Sequence, residues 1–443
     1  MTQYGIVLGG GGAKGSYEIG VWKALLELNI PIRAVVGTSV GAINAAIMVQ
    51  GDFDIAYKLW NNLDMESVIN LGDNTLLDGK QLNLKDLILT ARKIIENRGL
   101  DITPLRNMLH QYIDESVIRL SSIDFGLVTF SLSDFKSVAV FKDEIPDGLL
   151  IDYLLASSCL PGFRTHEIKS KKFMDGGIYD NIPISLMIKK DIRDIIVVDV
   201  SGIGRIKKVN LKGFNVKYIK NSDPLCGTLQ FDGDKCKEGI TMGYLDALKS
   251  FGAYEGKRYY IEINSEEKNK QAYPLRLEEL NILDSMLDLK ANSATANKLI
   301  NYPLLRTIYK YLSSKLNSMT IIQAAAEITA EVFNIQRLKA YTWDELIEET
   351  MKVYDTIKSE STKTKNPKML ANLLHSKKVE DIELLDLKAL AVFNTDFLDQ
   401  DINSKLYRKL MAIFLPKVCI ANIFLSLMVW RRSNQANNTT FIE

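Results

Sequence analysis

Ser39, in Gly37-Thr38-Ser39-Val40-Gly41, and Asp175, in Asp175-Gly176-Gly177, are the two side chains whose neighbours best equip them for covalent chemistry together. The first stretch fits G-x-S-x-G, a nucleophile elbow, in which a serine stands on a sharp turn between a strand and a helix. Its context agrees: apolar Ala34-Val35-Val36 precedes it, and Ala42-Ile43-Asn44-Ala45-Ala46-Ile47 follows as a helix start. Gly37 and Gly41 keep the tight turn free of Cβ atoms. The helix N-terminus offers N–H groups and a positive dipole end to developing negative charge. A serine hydroxyl is a weak nucleophile and needs a base. The chain has only three histidines. His110 lies in a polar helical stretch, His166 follows a loop, and His375 falls in a C-terminal helical region; none has the setting of a catalytic loop. Asp175 does, because Lys172-Phe173-Met174 reads as a short strand and two glycines let the chain bend away from its end. A Ser–Asp dyad therefore fits better than a Ser–His–Asp triad.

A third segment supplies hydrogen-bond donors. Tyr4-Gly5-Ile6-Val7-Leu8 reads as a buried strand, Gly9-Gly10-Gly11-Gly12-Ala13-Lys14-Gly15 as a loop, and Ser16 to Asn29 as a helix. With so little side-chain bulk, the loop's N–H groups can converge on one oxyanion, as acyl transfer requires, and Lys14 adds positive charge beside them. Two phosphate-binding readings compete. Gly10-x-Gly12-x-x-Gly15 matches the dinucleotide fingerprint, but that fold wants an acidic residue at the end of the second strand, where Val36-Gly37-Thr38-Ser39 stands. The G-x-x-x-x-G-K-[ST] loop also nearly matches, with Lys14 before Gly15 instead of after it.

Taken together, the three segments resemble the patatin-like phospholipase family over roughly residues 1 to 265. Ala156-Ser157-Ser158-Cys159-Leu160-Pro161-Gly162-Phe163 looks like that family's Ala-Ser-x-x-x-Pro stretch, and Asp180-Asn181-Ile182-Pro183 like its Asn-x-Pro stretch. The resemblance implies Ser39 as nucleophile, Asp175 as base, and Gly10, Gly11 and Gly12 as oxyanion donors. Lys14, Gly15, Gly37, Gly41, Gly176 and Gly177 support the motifs. Two departures, Lys14 where many members carry Arg and Gly9 where plant members carry an acidic residue, leave the chemistry untouched. The implied activity is metal-independent hydrolysis of lipid acyl esters, of phospholipase A or lysophospholipase type, with a role in lipid catabolism and no cofactor. The implied partner is a lipid at a membrane or micelle surface; protein partners are not indicated. A soluble carboxylesterase or thioesterase with the same dyad, a nucleotide-binding module and a scaffold with a vestigial site are the rival readings.

The elements that must position these residues read as an α/β fold. Residues 4–8 and 34–38, with the helix between them, form a βαβ unit and predict a parallel sheet; the family resemblance implies three α/β/α layers. Phe53–Asn62, Asn83–Asn97 and Pro104–Tyr112 look like a helical excursion near the site's mouth. Phe125–Phe130 and Val138–Phe141 suggest a hairpin, Leu149–Ser157 a helix, Ile195–Val200 a central strand, Lys237–Ser250 a helix and Tyr259–Ile263 the last strand. Arg205 to Gly213, with Lys207, Lys208 and Lys212, reads as a solvated loop or a lipid-facing basic one. Ser265–Lys270 is a polar linker. Beyond it the spacing of Leu280, Leu283, Met286, Leu287 and Leu289 predicts an all-helical second domain over 271–443, with Ser359–Pro367 as an exposed loop.

The formal net charge of +1 over 443 residues argues against nucleic acid as a partner. The four cysteines, Cys159, Cys226, Cys236 and Cys419, are scattered and read as reduced thiols of a cytoplasmic protein. The first strand runs directly into the glycine loop, so no signal peptide is expected. Residues 410–430 are almost wholly apolar, with Pro416 and Lys417 interrupting the run, and are close to the roughly 20 residues of a spanning helix. Three accounts compete for this segment: a helix pair packed on the helical domain, a peripheral membrane anchor ending in Trp430-Arg431-Arg432, and a transmembrane helix.

Overall fold

The computed structural model describes residues 2–70, 99–263, 303–312, 318–361, 387–393, 395 and 402–439. It divides into two compact units, Met1–Phe251 and Gly252–Glu443.

The first unit is built on a sheet of eight strands: β1 (Tyr4–Leu8), β2 (Ile32–Thr38), β3 (Asp124–Ser131), β4 (Lys136–Phe141), β5 (His166–Ile168), β6 (Lys171–Asp175), β7 (Asp194–Asp199) and β8 (Asn215–Lys220). The order is β5-β6-β3-β2-β1-β7-β8, with β4 paired to β3. From β3 to β8 every neighbour pair is parallel. Both faces of such a sheet must be covered, and Gly5 to Leu8 are accordingly buried without alternation. Helices α1 (Ser16–Glu27), α2 (Val40–Gln50), α3 (Phe53–Asn61), α4 (Thr103–Tyr112), α5 (Glu115–Leu120), α6 (Leu150–Ser157), α7 (Ile184–Lys189) and α8 (Gly233–Ser250) follow the strands. On one face Val7, Val36, Val128 and Val197 pack under Ile184 and Met187 of α7.

One feature of this topology positions the chemistry. β3 carries β4 along one edge, through residues 126–131. Its other edge is shared: Ala34 to Thr38 of β2 pair with residues 124–128, and Phe173 to Asp175 of β6 pair with residues 129–131. β2 runs parallel to β3 and β6 antiparallel, so their C-terminal ends meet head to head. Thr38 pairs with Val128 and Asp175 with the next residue, Thr129.

Two expectations about strands are corrected. Ile195–Val200 was expected at the centre; β7 lies one strand from the edge, which β8 forms with Asn215, Lys217 and Lys220 along a largely solvated strand. Burial on both faces of β7 makes it look central by composition alone. Tyr259–Ile263 does not end the main sheet. Tyr260–Glu262 pairs instead with Tyr254–Glu255 and Ala340–Tyr341 in a small sheet of the second unit. A short apolar run carries no record of which strand it will pair with.

The second unit is mainly helical: α9 (Ser318–Val332), α10 (Trp343–Ser361), α11 (Leu387–Val392), α12 (Ile402–Phe414) and α13 (Pro416–Thr439), together with the three short strands β9 (Tyr254–Glu255), β10 (Tyr260–Glu262) and β11 (Ala340–Tyr341). Buried Glu327 on α9 accepts the backbone N–H groups of Lys257, at 2.7 Å, Arg258 and Tyr259, at 3.0 Å. The apolar tail is part of this core. Met411, Val418, Cys419, Phe424, Leu425 and Met428 are buried side chains of one cluster with Trp343 and Phe333. Among the described residues no helix is long and apolar enough to cross a membrane. This burial supports the account of a helix pair packed on the helical core, while Ile413 and Phe414 of the same segment remain 41% and 69% exposed. The expected helix Asn83–Asn97, the linker Ser265–Lys270, the leucine spacing from Leu280 and His375 lie outside the described residues, as does Ser359–Pro367 beyond Ser361.

Candidate active site

Ser39 stands between β2 and α2 with φ 57° and ψ −129°. That left-handed φ is costly for a residue with a Cβ, and three contacts hold it. A Cβ on Gly37 would lie 2.2 Å from the backbone of Gly41, and one on Gly41 would lie 2.6 Å from the Leu8 carbonyl, so only glycine allows this close a turn. The Ser39 N–H donates to Ser157 Oγ at 2.9 Å, and that hydroxyl donates to the Val128 carbonyl at 2.7 Å. Thr38 Oγ1 donates to the Asp180 carbonyl at 2.8 Å. Ser157, quoted above only as part of a motif, is therefore a brace of the elbow.

Asp175 is 3% exposed and Ser39 4%. Asp175 Oδ1 accepts the Gly177 N–H at 2.7 Å, the tight turn for which two glycines were expected. Burial raises the Asp175 carboxyl to about 6; the adjacent Ser39 hydroxyl and the Gly177 N–H oppose the rise. Oδ2 makes no hydrogen bond of ordinary geometry among the described residues. Loose contacts of this kind are common in unliganded sites and tighten when substrate binds.

The glycine loop passes beside the serine: a Cβ on Gly10 would lie 3.2 Å from Ser39 Cβ. Gly10 itself differs from expectation. Its N–H donates to the Asn181 carbonyl at 3.1 Å, and its carbonyl accepts Asn181 Nδ2 at 3.0 Å. Its donor is thus taken up by the loop's own anchor. Among the described residues the N–H groups of Gly11 and Gly12 have no acceptor. Lys14 Nζ donates to the Ser201 carbonyl at 2.8 Å.

Asn44 escaped the sequence reading. Its Nδ2 donates to Glu18 Oε2 at 2.7 Å and to the Gly15 carbonyl at 3.0 Å, while Oδ1 accepts Trp60 Nε1 at 3.0 Å. It ties α2 to α1, the glycine loop and α3. Burial pushes the Glu18 carboxyl well up, which suits a neutral acid in this network. The available signal was that Asn44 is the one polar side chain between Val40 and Val49.

The two described histidines stand apart from this constellation. His166 is buried on β5, with Nε2 3.1 Å from Asp152 Oδ1 and Nδ1 3.3 Å from Arg106. Burial lowers its pKa. His110 is exposed on α4.

An apolar pocket opens from Ser39, lined by Ile43 and Ile47 of α2, Trp60, Leu105, Leu109 and Leu160. α3 and α4, the expected helical excursion, supply its far wall. Ser158, also on its lining, has a buried hydroxyl without a partner among the described residues.

The sequence model of the patatin-like phospholipase family matches residues 6–188, the span from β1 into α7 that contains the glycine loop, Ser39 and Asp175. Residues 6–188 match a patatin-like phospholipase domain. The domain is 26% identical over 202 residues to patatin-like phospholipase domain-containing protein 7 of Rattus norvegicus, a match covering 44% of this chain and 13% of that protein. It is 27% identical over 202 residues to the lysophospholipase NTE1 of Mycosarcoma maydis, covering 45% of this chain and 10% of that one. The chain therefore spans only a small part of these longer relatives. Among solved structures, VipD from Legionella pneumophila covers 91% of this chain and 94% of its own at 15% identity, with a TM-score of 0.38. Within the patatin-like domain, the loop carrying Asn181 and the strand end carrying Asp175 close on the glycine loop and the elbow, respectively.

Proposed function

We propose that the protein hydrolyses acyl esters of phospholipids or lysophospholipids through Ser39 and Asp175, without a metal. The observation that supports this most is the meeting of a strained serine, a buried carboxylate raised to about 6 and an apolar pocket at the ends of β2 and β6.

In this mechanism Asp175 takes the Ser39 proton as Oγ attacks the ester carbonyl. The N–H groups of Gly11 and Gly12 hold the tetrahedral oxyanion, with Gly10 as the anchored base of the loop. Protonation of the leaving alcohol by Asp175 releases it and leaves acyl-Ser39. Asp175 then deprotonates a water, which attacks the acyl carbonyl and regenerates the serine. The raised carboxyl narrows the gap between a carboxylate and an imidazole base at neutral pH.

The test is fatty-acid release from mixed phospholipid vesicles in the presence of a chelator, followed by mass spectrometry, alongside water-soluble esters of increasing acyl length. The expected result is chelator-resistant release, with kcat/KM rising by up to about fourfold per added methylene until the pocket fills. Equal turnover of short and long chains would favour a soluble carboxylesterase. Loss of release with chelator would remove the metal-free mechanism.

Asn181→Ala tests the glycine loop. Without the side-chain bond to the Gly10 carbonyl, the loop loses one of its two ties to this residue. The expected outcome is a fall in kcat of about tenfold to a hundredfold with a smaller change in KM, read from the same assay.

A further inference from the structure

The segment Ser201–Gly213 has the composition of a docking loop and sits on the site. It contains Arg205, Lys207, Lys208 and Lys212 and no acidic residue. Val209 and Leu211 pack against the sheet's core, so the loop is anchored from below. Ile203 and Ile206 face outward instead, 88% and 54% exposed. Isoleucine so far exposed, twice within four residues and beside four cations, is a poor match to plain solvation.

The same loop holds the catalytic loops through its backbone. The Arg205 N–H donates to the Gly177 carbonyl at 2.8 Å, and the Arg205 carbonyl accepts the Asn181 N–H at 2.7 Å. The Lys207 N–H reaches Asp180 Oδ1 at 3.4 Å, and the Ser201 carbonyl receives Lys14. Gly202 lies so close to Gly10 that a Cβ there would meet the Gly10 carbonyl at 1.8 Å.

We propose that Ser201–Gly213 is the surface by which the protein docks on an anionic phospholipid bilayer, with Ile203 and Ile206 inserted among the acyl chains and the basic side chains on the headgroups. The choice of a bilayer as occupant rests on the lipid-hydrolase reading. The charge complementarity and the exposed isoleucines stand without it. Apolar insertion flanked by Lys and Arg is how peripheral elements bind anionic membranes, each basic residue adding about fivefold to the affinity. Docking here sets the Asp175 turn and the glycine loop against the interface.

The test uses the full chain, with sedimentation on phosphatidylcholine vesicles with and without phosphatidylserine, at low and high salt. Wild type, Ile203→Ser/Ile206→Ser, Lys208→Glu/Lys212→Glu and Ser39→Ala are compared, with thermal melting as the check of folding. The wild type is expected to sediment with the phosphatidylserine vesicles and to release on adding salt. The lysine pair is expected to lower that affinity by about tenfold or more, and the isoleucine pair to lower binding to both vesicle types, all with unchanged melting. Ser39→Ala should bind as the wild type does. Unchanged binding in both loop variants, or no wild-type binding, overturns the proposal. Concentration-dependent self-association abolished by the isoleucine pair, with no vesicle binding, overturns it in favour of a second copy as occupant. Vesicle binding that needs the loop, with no fatty-acid release from the wild type, supports docking while the hydrolase reading fails.

Discussion

Ser39→Ala is expected to abolish fatty-acid release, lowering kcat by about ten-thousandfold or more, while leaving the protein folded. The separation of activity from stability follows from what Ser39 contributes to each. Its structural part is a backbone one: the N–H bond to Ser157 and the strained φ of 57° at the elbow. Alanine keeps the N–H and the Cβ, so both the bond and the strain persist. The hydroxyl's neighbours are a carboxylate and an apolar pocket, and its removal takes away only the proposed nucleophile. Steady-state release from vesicles together with thermal melting checks the prediction. Residual release above about one per cent with an unchanged melting temperature would remove Ser39 from the nucleophile's role.

Asp175→Asn carries the second large effect, and it has opposite signs on activity and stability. In the proposed mechanism the working form of Asp175 is the ionised one. With the carboxyl at about 6, kcat/KM should rise tenfold per pH unit below that value and level off above it. The variant should lose about a thousandfold in kcat, with no inflection near 6. For stability, the folded carboxyl is raised above its usual 3.8, so the folded state holds the proton more tightly than the unfolded one. That contribution is fully present below about pH 4 and lost as pH rises through about 6. At pH 7 the ionised, buried carboxylate therefore costs the fold about 3 kcal/mol. Asparagine keeps an acceptor for the Gly177 N–H and carries no charge, so the variant should melt higher than the wild type at pH 7 and equally at pH 4. A pH–rate profile and melting curves at the two pH values decide it. A lower melting temperature at pH 7 would show that the carboxylate supports the fold instead of straining it.

The two unused donors of the glycine loop and the docking loop make the same point at different scales. Each is a place where the backbone bonds of Asn181, Gly177 and Arg205 decide which groups remain available to a substrate or a surface.

Several features were legible along the chain because short-range physics writes them there. The elbow needs glycine on both sides of a serine between a β-branched run and a helical one. The Asp175 turn needs two glycines, and the buried strands β1 and β7 need unbroken apolar residues. Ser39, Asp175 and the loop that flanks them could be picked out on those grounds, as could the hairpin of β3 and β4. Nothing local states that β2 and β6 meet along one edge of β3, although that meeting brings Asp175 to Ser39 from 136 positions away in the chain's numbering. Nor does it state that Asn181 occupies the Gly10 N–H, that Tyr260–Glu262 belongs to the second unit's sheet, or that much of the apolar tail contributes to a core. An apolar stretch reads the same whether protein or membrane will cover it, and a backbone N–H reads the same whether free or bonded. Sequence determined which segments turn, extend or coil and which side chains can react. Only the tertiary structure decided which of them meet, because pairing partners are selected by packing between residues far apart in the chain.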